Sequence, residues 1–405
     1  MPLRVLHLIK TAEGAPFPIR QIAAMTRAGM QSAVLVPSIG ANHASILAAG
    51  AEVYIGRNDI KALAQPARFM NARRQLLAAI AAFKPDVILA HFVGSVVFAR
   101  LALGRWHALP RVFQVAGPLH LEHMAPRLFE IGTAGPGDYW LATCRATMQH
   151  YGKAGIAGER LGLAYFGLPE SAFVQGAPHV LRALLPAAAA SRRIVGMVAF
   201  AYPPRPLLGR PRGIKGHEDL FEAAGLLVAR GIDVHLVMVG GPAAGGEAYF
   251  ARLQAIGHRL LGDRLTMLGS RDDVLALYPG MDVAVHPSHS ENLGAAIESL
   301  AQGVPTIATN VGGFPDIVRP GETGWLVPPR TPSALARAIA EALAEPDEAF
   351  RRGQAGRRLI MTEFNDDHAA AGVMAFLTSV VAHRRARSPR PNARRSSRGM
   401  NASDQ

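Results

Sequence analysis

The sequence predicts an α/β protein of two Rossmann-like domains whose parallel sheets face each other across a cleft. Three observations lead there. The chain has 405 residues, more than one ordinary core accommodates, since domains of ~100–200 residues are the norm. Its 49% hydrophobic and 18% charged content suits a chain that buries two full cores. Short apolar runs alternate with helix-like stretches from end to end, the rhythm of a parallel sheet covered by helices on both faces.

In the first half, apolar runs predict strands over 4–9, 33–37, 52–55, 86–91, 111–115 and 139–142. Helical patterns cover 18–28, 43–49, 60–83 and 94–103, and Lys84-Pro85-Asp86 stops the third of these. The alanine-rich stretch 185–191 looks like a linker, which sets a first domain at 1–185 and a second at 192–365. The rhythm then restarts with a strand over 194–200, a helix over 217–229, a strand over 234–239 and a helix over 247–261. Further elements follow at 265–268, 274–278, 282–286, 293–302, 305–308 and 325–327, and helices at 333–344 and 347–364. Residues 366–383 form one more helical stretch. From Arg384 to Gln405, seven arginines against the single Asp404 make a basic tail whose Ser, Pro and Asn content reads as disordered.

Composition excludes several function classes. No apolar run approaches the ~20 residues of a membrane span, and the chain opens on a strand-like run rather than a targeting segment. A single cysteine, Cys144, permits neither an intramolecular disulfide nor a cysteine metal cluster, which points to a reducing, cytoplasmic setting. The net charge of +13 invites a nucleic-acid reading. With +6 of it in the tail and no zinc-finger or aromatic RNA-binding pattern beside it, nucleic-acid binding is not expected. The cations Lys61, Arg68, Arg73 and Arg74 on the 60–83 helix, and the tail, leave open peripheral contact with an anionic membrane.

The densest chemical signal is the run from Pro287 to Pro305. It starts where a strand ends and enters a helix whose first turn holds Asn292, Leu293 and Gly294. Helix starts present free N–H groups and a positive dipole end, which suits phosphate. Glu298 has the chemistry to accept two hydroxyl hydrogen bonds from a vicinal diol such as a ribose. A capped helix with Glu298 in a surface ion pair is the alternative. The second signal is Arg212-Gly213-Ile214-Lys215-Gly216-His217. A lysine at the carboxyl edge of a sheet can neutralise a departing diphosphate; a solvated loop lysine is the alternative.

Together the two signals resemble the donor domain of glycosyltransferase family 4, the retaining group with the GT-B fold. Ala301-Gln302-Gly303-Val304-Pro305-Thr306-Ile307-Ala308-Thr309-Asn310-Val311-Gly312-Gly313 continues the resemblance, as do Val237 to Gly241 and Leu268 to Arg271. The resemblance covers 194 to about 364, the first half matching more loosely. It implies a GT-B fold and a hexosyltransferase acting on a UDP- or GDP-sugar. Lys215 and Arg212 would meet the diphosphate, with Arg205 and Arg210 as rivals to Arg212. Glu298 would hold the ribose, Glu291 the transferred sugar, Asn292, Leu293 and Gly294 sugar and phosphate, and Gly269, Ser270 and Arg271 the base. Gly14, in Thr11-Ala12-Glu13-Gly14, resembles the family's glycine loop, and His120 is the candidate for its reaction-centre histidine, with His123 and His91 as rivals. Glu291 and Glu298 enclose six residues, one fewer than the family's usual pair. Both roles survive that deletion only if Glu291 precedes the helix.

The resemblance further implies retention, a glycan, lipid-linked or small-molecule acceptor in surface polysaccharide or glycolipid synthesis, and no metal or other cofactor. The chain has no Asp-x-Asp pair. Two other classes stay open. A non-catalytic nucleotide-sugar or polysaccharide-binding scaffold would keep the second domain's motifs alone. A dehydrogenase would need a Gly-x-Gly-x-x-Gly turn after a first strand, which neither half has.

Overall fold

A computed structural model describes residues 2–14, 16–205 and 211–387. Two wholly parallel sheets carry the fold. The first comprises β1 (Arg4–Leu8), β2 (Gln31–Val36), β3 (Glu52–Ile55), β4 (Val87–Ala90), β5 (Arg111–Val115), β6 (Asp138–Ala142) and β7 (Leu161–Leu163), in the order β3-β2-β1-β4-β5-β6-β7. The second comprises β8 (Arg193–Val198), β9 (Val234–Val239), β10 (Leu265–Met267), β11 (Val283–His286), β12 (Thr306–Thr309) and β13 (Trp325–Val327), in the order β10-β9-β8-β11-β12-β13. Most central strands are buried along their whole length because helices cover both faces; β4, β5, β9 and β11 show no exposed residue. The order reverses between β1 and β4 and again between β8 and β11. At each reversal the loops leaving neighbouring strands part and open a crevice, and the two crevices face each other.

Three predicted elements are corrected, and one unpredicted strand is added. The stretch 60–83 is a 3₁₀ turn, Ile60–Ala64, followed by a helix, Pro66–Phe83. Asp59 caps the turn by accepting from the Lys61 N–H at 2.9 Å, and Pro66 both forces Gln65 to be extended and starts the new helix. The helix expected from 293 begins at Ala296, because Gly294 adopts the left-handed conformation (φ 51°). The first sheet gains β7, too short to show alternation. The tail's first residues continue the last helix, Asp366–Arg387; Arg384 donates to the Ala108 carbonyl at 3.1 Å and Arg385 to Asp86 at 2.9 Å.

The chain also crosses between domains earlier than its alanine-rich stretch. Leu168 and Ala172 are buried with Leu293, Leu300 and Ile360, and Leu181 with Ile194, Leu277 and Met281. It crosses back through the helix Asp366–Arg387, whose Ala370, Val373, Leu377 and Val380 pack on Val5, Val87 and Leu141 of the first sheet. Arg20 pairs with Asp366 at 3.3 Å and Arg27 with Asp367 at 3.0 Å. No helix among the described residues is long and apolar enough to cross a membrane.

Candidate active site

Three cavities run into one another along the interdomain cleft. The first, of about 300 Å³, lies between the loop after β5 (Ala116 to Leu119), the loop after β8 (Tyr202, Arg205, Arg212, Lys215) and the loop after β11 (Ser290 to Asn292). The second, about 290 Å³, lies within the second domain and is walled by Phe200, Tyr202, Gly240, Ser270, Arg271 and Glu298. Lys215 and Tyr202 line both and form their junction. The third, about 350 Å³, lies in the first domain against Lys10, His91, Phe92, His120 and His123; it shares Ala116, Gly117, Leu119 and Arg205 with the first.

The loops after β8 and β11 are locked together at the second sheet's reversal. The His289 N–H donates to the Ile214 carbonyl at 2.8 Å. A side chain at Gly216, φ 74°, would place its Cβ 2.1 Å from the Pro287 carbonyl oxygen, so only glycine allows this approach. Lys215 therefore emerges beside Glu291, and the two form an ion pair. Glu291 stands before the helix, in the loop. Its main chain is pressed against Gly312 so closely that a Cβ there would meet the Glu291 carbonyl at 1.7 Å. Glu298 lies inside the helix Ala296–Ala301 and accepts a long hydrogen bond, 3.4 Å, from Tyr278. Burial raises its carboxyl above the ordinary value, against the opposing effects of Tyr278 and Arg20.

Arg212 is bound on one side by Asp219 and on the other by Glu222 at 2.7 Å. Burial raises the Asp219 carboxyl, but His289 at 2.6 Å and Arg212 outweigh it and hold the group below its usual value. Arg212 thus reaches the first cavity as part of a carboxylate-bound cluster, whereas Arg205 makes no ion pair among the described residues. Arg210 lies outside the described residues. Arg271 is held in a two-pronged pair by Asp273, both contacts 2.7 Å. Ser270 and Arg271 reach the second cavity, but Gly269 lines none of the three. Nor does Gly14 line any of them; its carbonyl accepts from Asn42 at 3.0 Å. The Leu293 side chain, 3% exposed, is a core residue. Gly294 borders Glu291, its side-chain space filled by that carboxylate. Asn292 bridges the domains: its amide oxygen accepts from Thr143 at 3.2 Å and its carbonyl from the Gly313 N–H at 2.9 Å.

In the first domain, His120 sits in the wall of the third cavity, its Nε2 3.0 Å from the Tyr151 hydroxyl. Burial and His150 lower its pKa, with Glu130 opposing. His91 is buried against His7 with stacked rings and 3.1 Å between ring nitrogens. Burial lowers both, His91 to about 3, so this pair is neutral. Cys144 is buried and its thiol is pushed up by burial, which leaves it unreactive. No cluster of metal-ligating side chains occurs among the described residues.

Three groups at the site escape sequence reasoning. Tyr202 places its ring 5.9 Å from the Lys215 ammonium, and Tyr278 supports Glu298 from a separate element. The Asp219–His289 pair joins the first turn of the helix His217–Ala229 to the loop after β11, seventy residues away. Of these only Tyr202, an aromatic next to Pro203-Pro204 just beyond a strand, leaves a readable signal.

Residues 207–359 match the family described as Glycosyl transferases group 1. The chain superposes on the Anabaena protein Alr3699/HepE, crystallised in complex with UDP, with a TM-score of 0.76 over 94% of this chain and 100% of that one, at 21% identity. This chain has the GT-B fold, and its second domain is similar to Glycosyl transferases group 1. Its two sheets are the two GT-B domains, and the matched segment is the second of them. The same Anabaena protein with UDP-glucose gives a TM-score of 0.75 at 19% identity, over 93% and 100% of the chains. In sequence, a D-inositol 3-phosphate glycosyltransferase of Mycolicibacterium gilvum is 31% identical over 281 residues, 66% of this chain and 55% of that protein. The GT-B chain thus spans about half the length of the curated relatives it matches.

Proposed function

We propose that this GT-B protein transfers a hexosyl group, with retention, from a UDP- or GDP-sugar to a polyhydroxylated acceptor, a glycan, a lipid-linked glycan or a small molecule. The observation that carries the reading is the placement of Lys215 where the second cavity opens into the first. A nucleoside in the second cavity would set its ribose at Glu298 and its base near Ser270 and Arg271. Its diphosphate would then reach Lys215, and the sugar would enter the first cavity at Glu291 and Asn292. The UDP and UDP-glucose complexes of the Anabaena protein favour UDP as the base carrier. The third cavity would take the acceptor. Among the described residues its lining includes Lys10, Arg205, His120 and His123 and no carboxylate, which suits an anionic group such as the phosphate in the Mycolicibacterium relative's name.

Glu291 is engaged by Lys215, which favours front-face attack. A donor phosphate oxygen takes the attacking hydroxyl's proton, and fixed positive charge stabilises the leaving diphosphate. Nucleoside diphosphate release from UDP- and GDP-sugars, with and without acceptor, tests the proposal. Binding of the diphosphate without turnover of any donor would leave a binding protein instead.

Two predictions follow from the geometry. Lys215 and Arg205, which line the first cavity, would supply the positive charge that a metal would otherwise bring, so activity should survive exhaustive EDTA treatment. Loss that magnesium or manganese restores would refute metal independence. The two glutamates should separate in titration calorimetry. Glu298→Ala removes a charged hydrogen-bond acceptor from the ribose and should weaken nucleoside diphosphate binding by ~10- to 100-fold. Glu291→Ala frees Lys215, so affinity for the diphosphate should hold or rise while turnover of the intact donor falls. Equal loss of affinity in both variants would overturn this division.

A further inference from the structure

His120 ends a buried chain of hydrogen bonds that has a direction. Glu130 is fully buried; its Oε1 accepts from Arg100 at 2.7 Å and from the Trp140 indole at 2.9 Å. Its Oε2 accepts from the Tyr151 hydroxyl at 3.0 Å. A carboxylate bound by an arginine is acceptor-only, so the single hydroxyl proton of Tyr151 points at Glu130. The tyrosine oxygen can then only accept from His120 Nε2, 3.0 Å away. The proton of the neutral imidazole is thereby placed on Nε2, because the hydrogen bond at one ring nitrogen sets the state of the other. Nδ1 is left with a lone pair. Among the described residues it has no hydrogen-bond partner, it is not among the enclosed, unsatisfied atoms, and His120 lines the third cavity.

We propose that Tyr151, held by Glu130, is a positioning residue that keeps His120 in its Nε2–H form, so that Nδ1 accepts a hydrogen bond from a hydroxyl of the incoming acceptor. This rests on the transferase reading above. The attacking hydroxyl has one hydrogen, which goes to the donor phosphate. The hydroxyl held by His120 is therefore a neighbouring one, and the substrate class is an acceptor with at least two adjacent hydroxyls. No proton changes hands at His120. Burial, which lowers the histidine's pKa, keeps the ring in the neutral form this requires.

The full chain with ¹⁵N-labelled histidine tests the proposal directly. The His120 ring resonances, assigned through His120→Gln, should show the Nε2–H tautomer in the native protein and a mixture in Tyr151→Phe. A native Nδ1–H tautomer would overturn the proposal whether or not the protein transfers sugar. Kinetics supply the second arm. His120→Ala and Tyr151→Phe should each raise the KM for a vicinal-diol acceptor about five- to tenfold, the worth of one hydrogen bond. Nucleoside diphosphate affinity, which reads the second cavity, should not change. The double variant should be no worse than His120→Ala alone, and His120→Asn, whose amide oxygen lies near the Nδ1 position, should recover part of the loss. Multiplicative losses in the double variant would overturn the proposal. So would an unchanged KM in a folded Tyr151→Phe. Absence of turnover with every donor, alongside the Nε2–H tautomer, would instead reject the transferase reading.

Discussion

Lys215→Ala is expected to lower turnover with the true donor by ~10²–10³-fold, the usual cost of removing a fixed electrostatic group that serves the transition state. The lysine stands at the junction of the two donor cavities, 19% exposed and paired with Glu291. A diphosphate arriving there meets a cation that is already partly desolvated, where its attraction is stronger than in water. Deleting it does more than remove one charge. Glu291 is left as an unpaired carboxylate facing the leaving group, so repulsion adds to the lost attraction. Lys215→Ala/Glu291→Ala should therefore bind nucleoside diphosphate better than Lys215→Ala does. Steady-state rates combined with calorimetry check both points. Near wild-type turnover in Lys215→Ala would reject the electrostatic role.

Arg100→Met should destabilise the first domain by about 3–5 kcal/mol, the penalty for breaking a buried ion pair from one side. Arg100 is buried and binds Glu130 at 2.7 Å and Asp138 at 3.1 Å; Asp138 in turn binds Arg111 at 2.8 Å, all with fully enclosed side chains. Burial alone would make Arg100 easier to deprotonate, but the two carboxylates reverse that. Removing the arginine leaves two carboxylates with Arg111 as their remaining arginine partner in this network. For a domain of this size the loss corresponds to a drop in denaturation midpoint on the order of 10 °C. Differential scanning calorimetry reads it, and a shift within experimental error would show the network to be energetically neutral. The network lies directly beneath Tyr151, so the acceptor side of the cleft rests on the same charges.

Much of the fold was readable because it depends on local periodicity. Runs such as Val87–Ala90 and Val234–Val239 are apolar throughout, as strands covered on both faces must be, and glycine and proline punctuation marks their ends. Glu291 lies before the helix, the position that its role in the resemblance depends on. What failed was set by contacts across the chain or by a single backbone angle. Gly294 turns left-handed and delays the helix to Ala296, which puts Leu293 into the core. The three-residue β7 has no pattern to read and exists because β6 offers it an edge.

The same division holds at the site. Lys215-Gly216 and the glutamate pair announce themselves in sequence because their chemistry is compressed into short segments on either side of one sheet reversal. Which arginine is already neutralised is a different question. Arg212 is held by Asp219 and Glu222, and Asp219 by His289, partners that helix geometry and loop packing bring together. The tautomer of His120 depends on Tyr151, Glu130 and Arg100, which come from three separate helices. Residue identity supplies the available charges and hydrogen-bond donors. Their pairing is settled by burial, which removes water as the competing partner and obliges each polar group to find another.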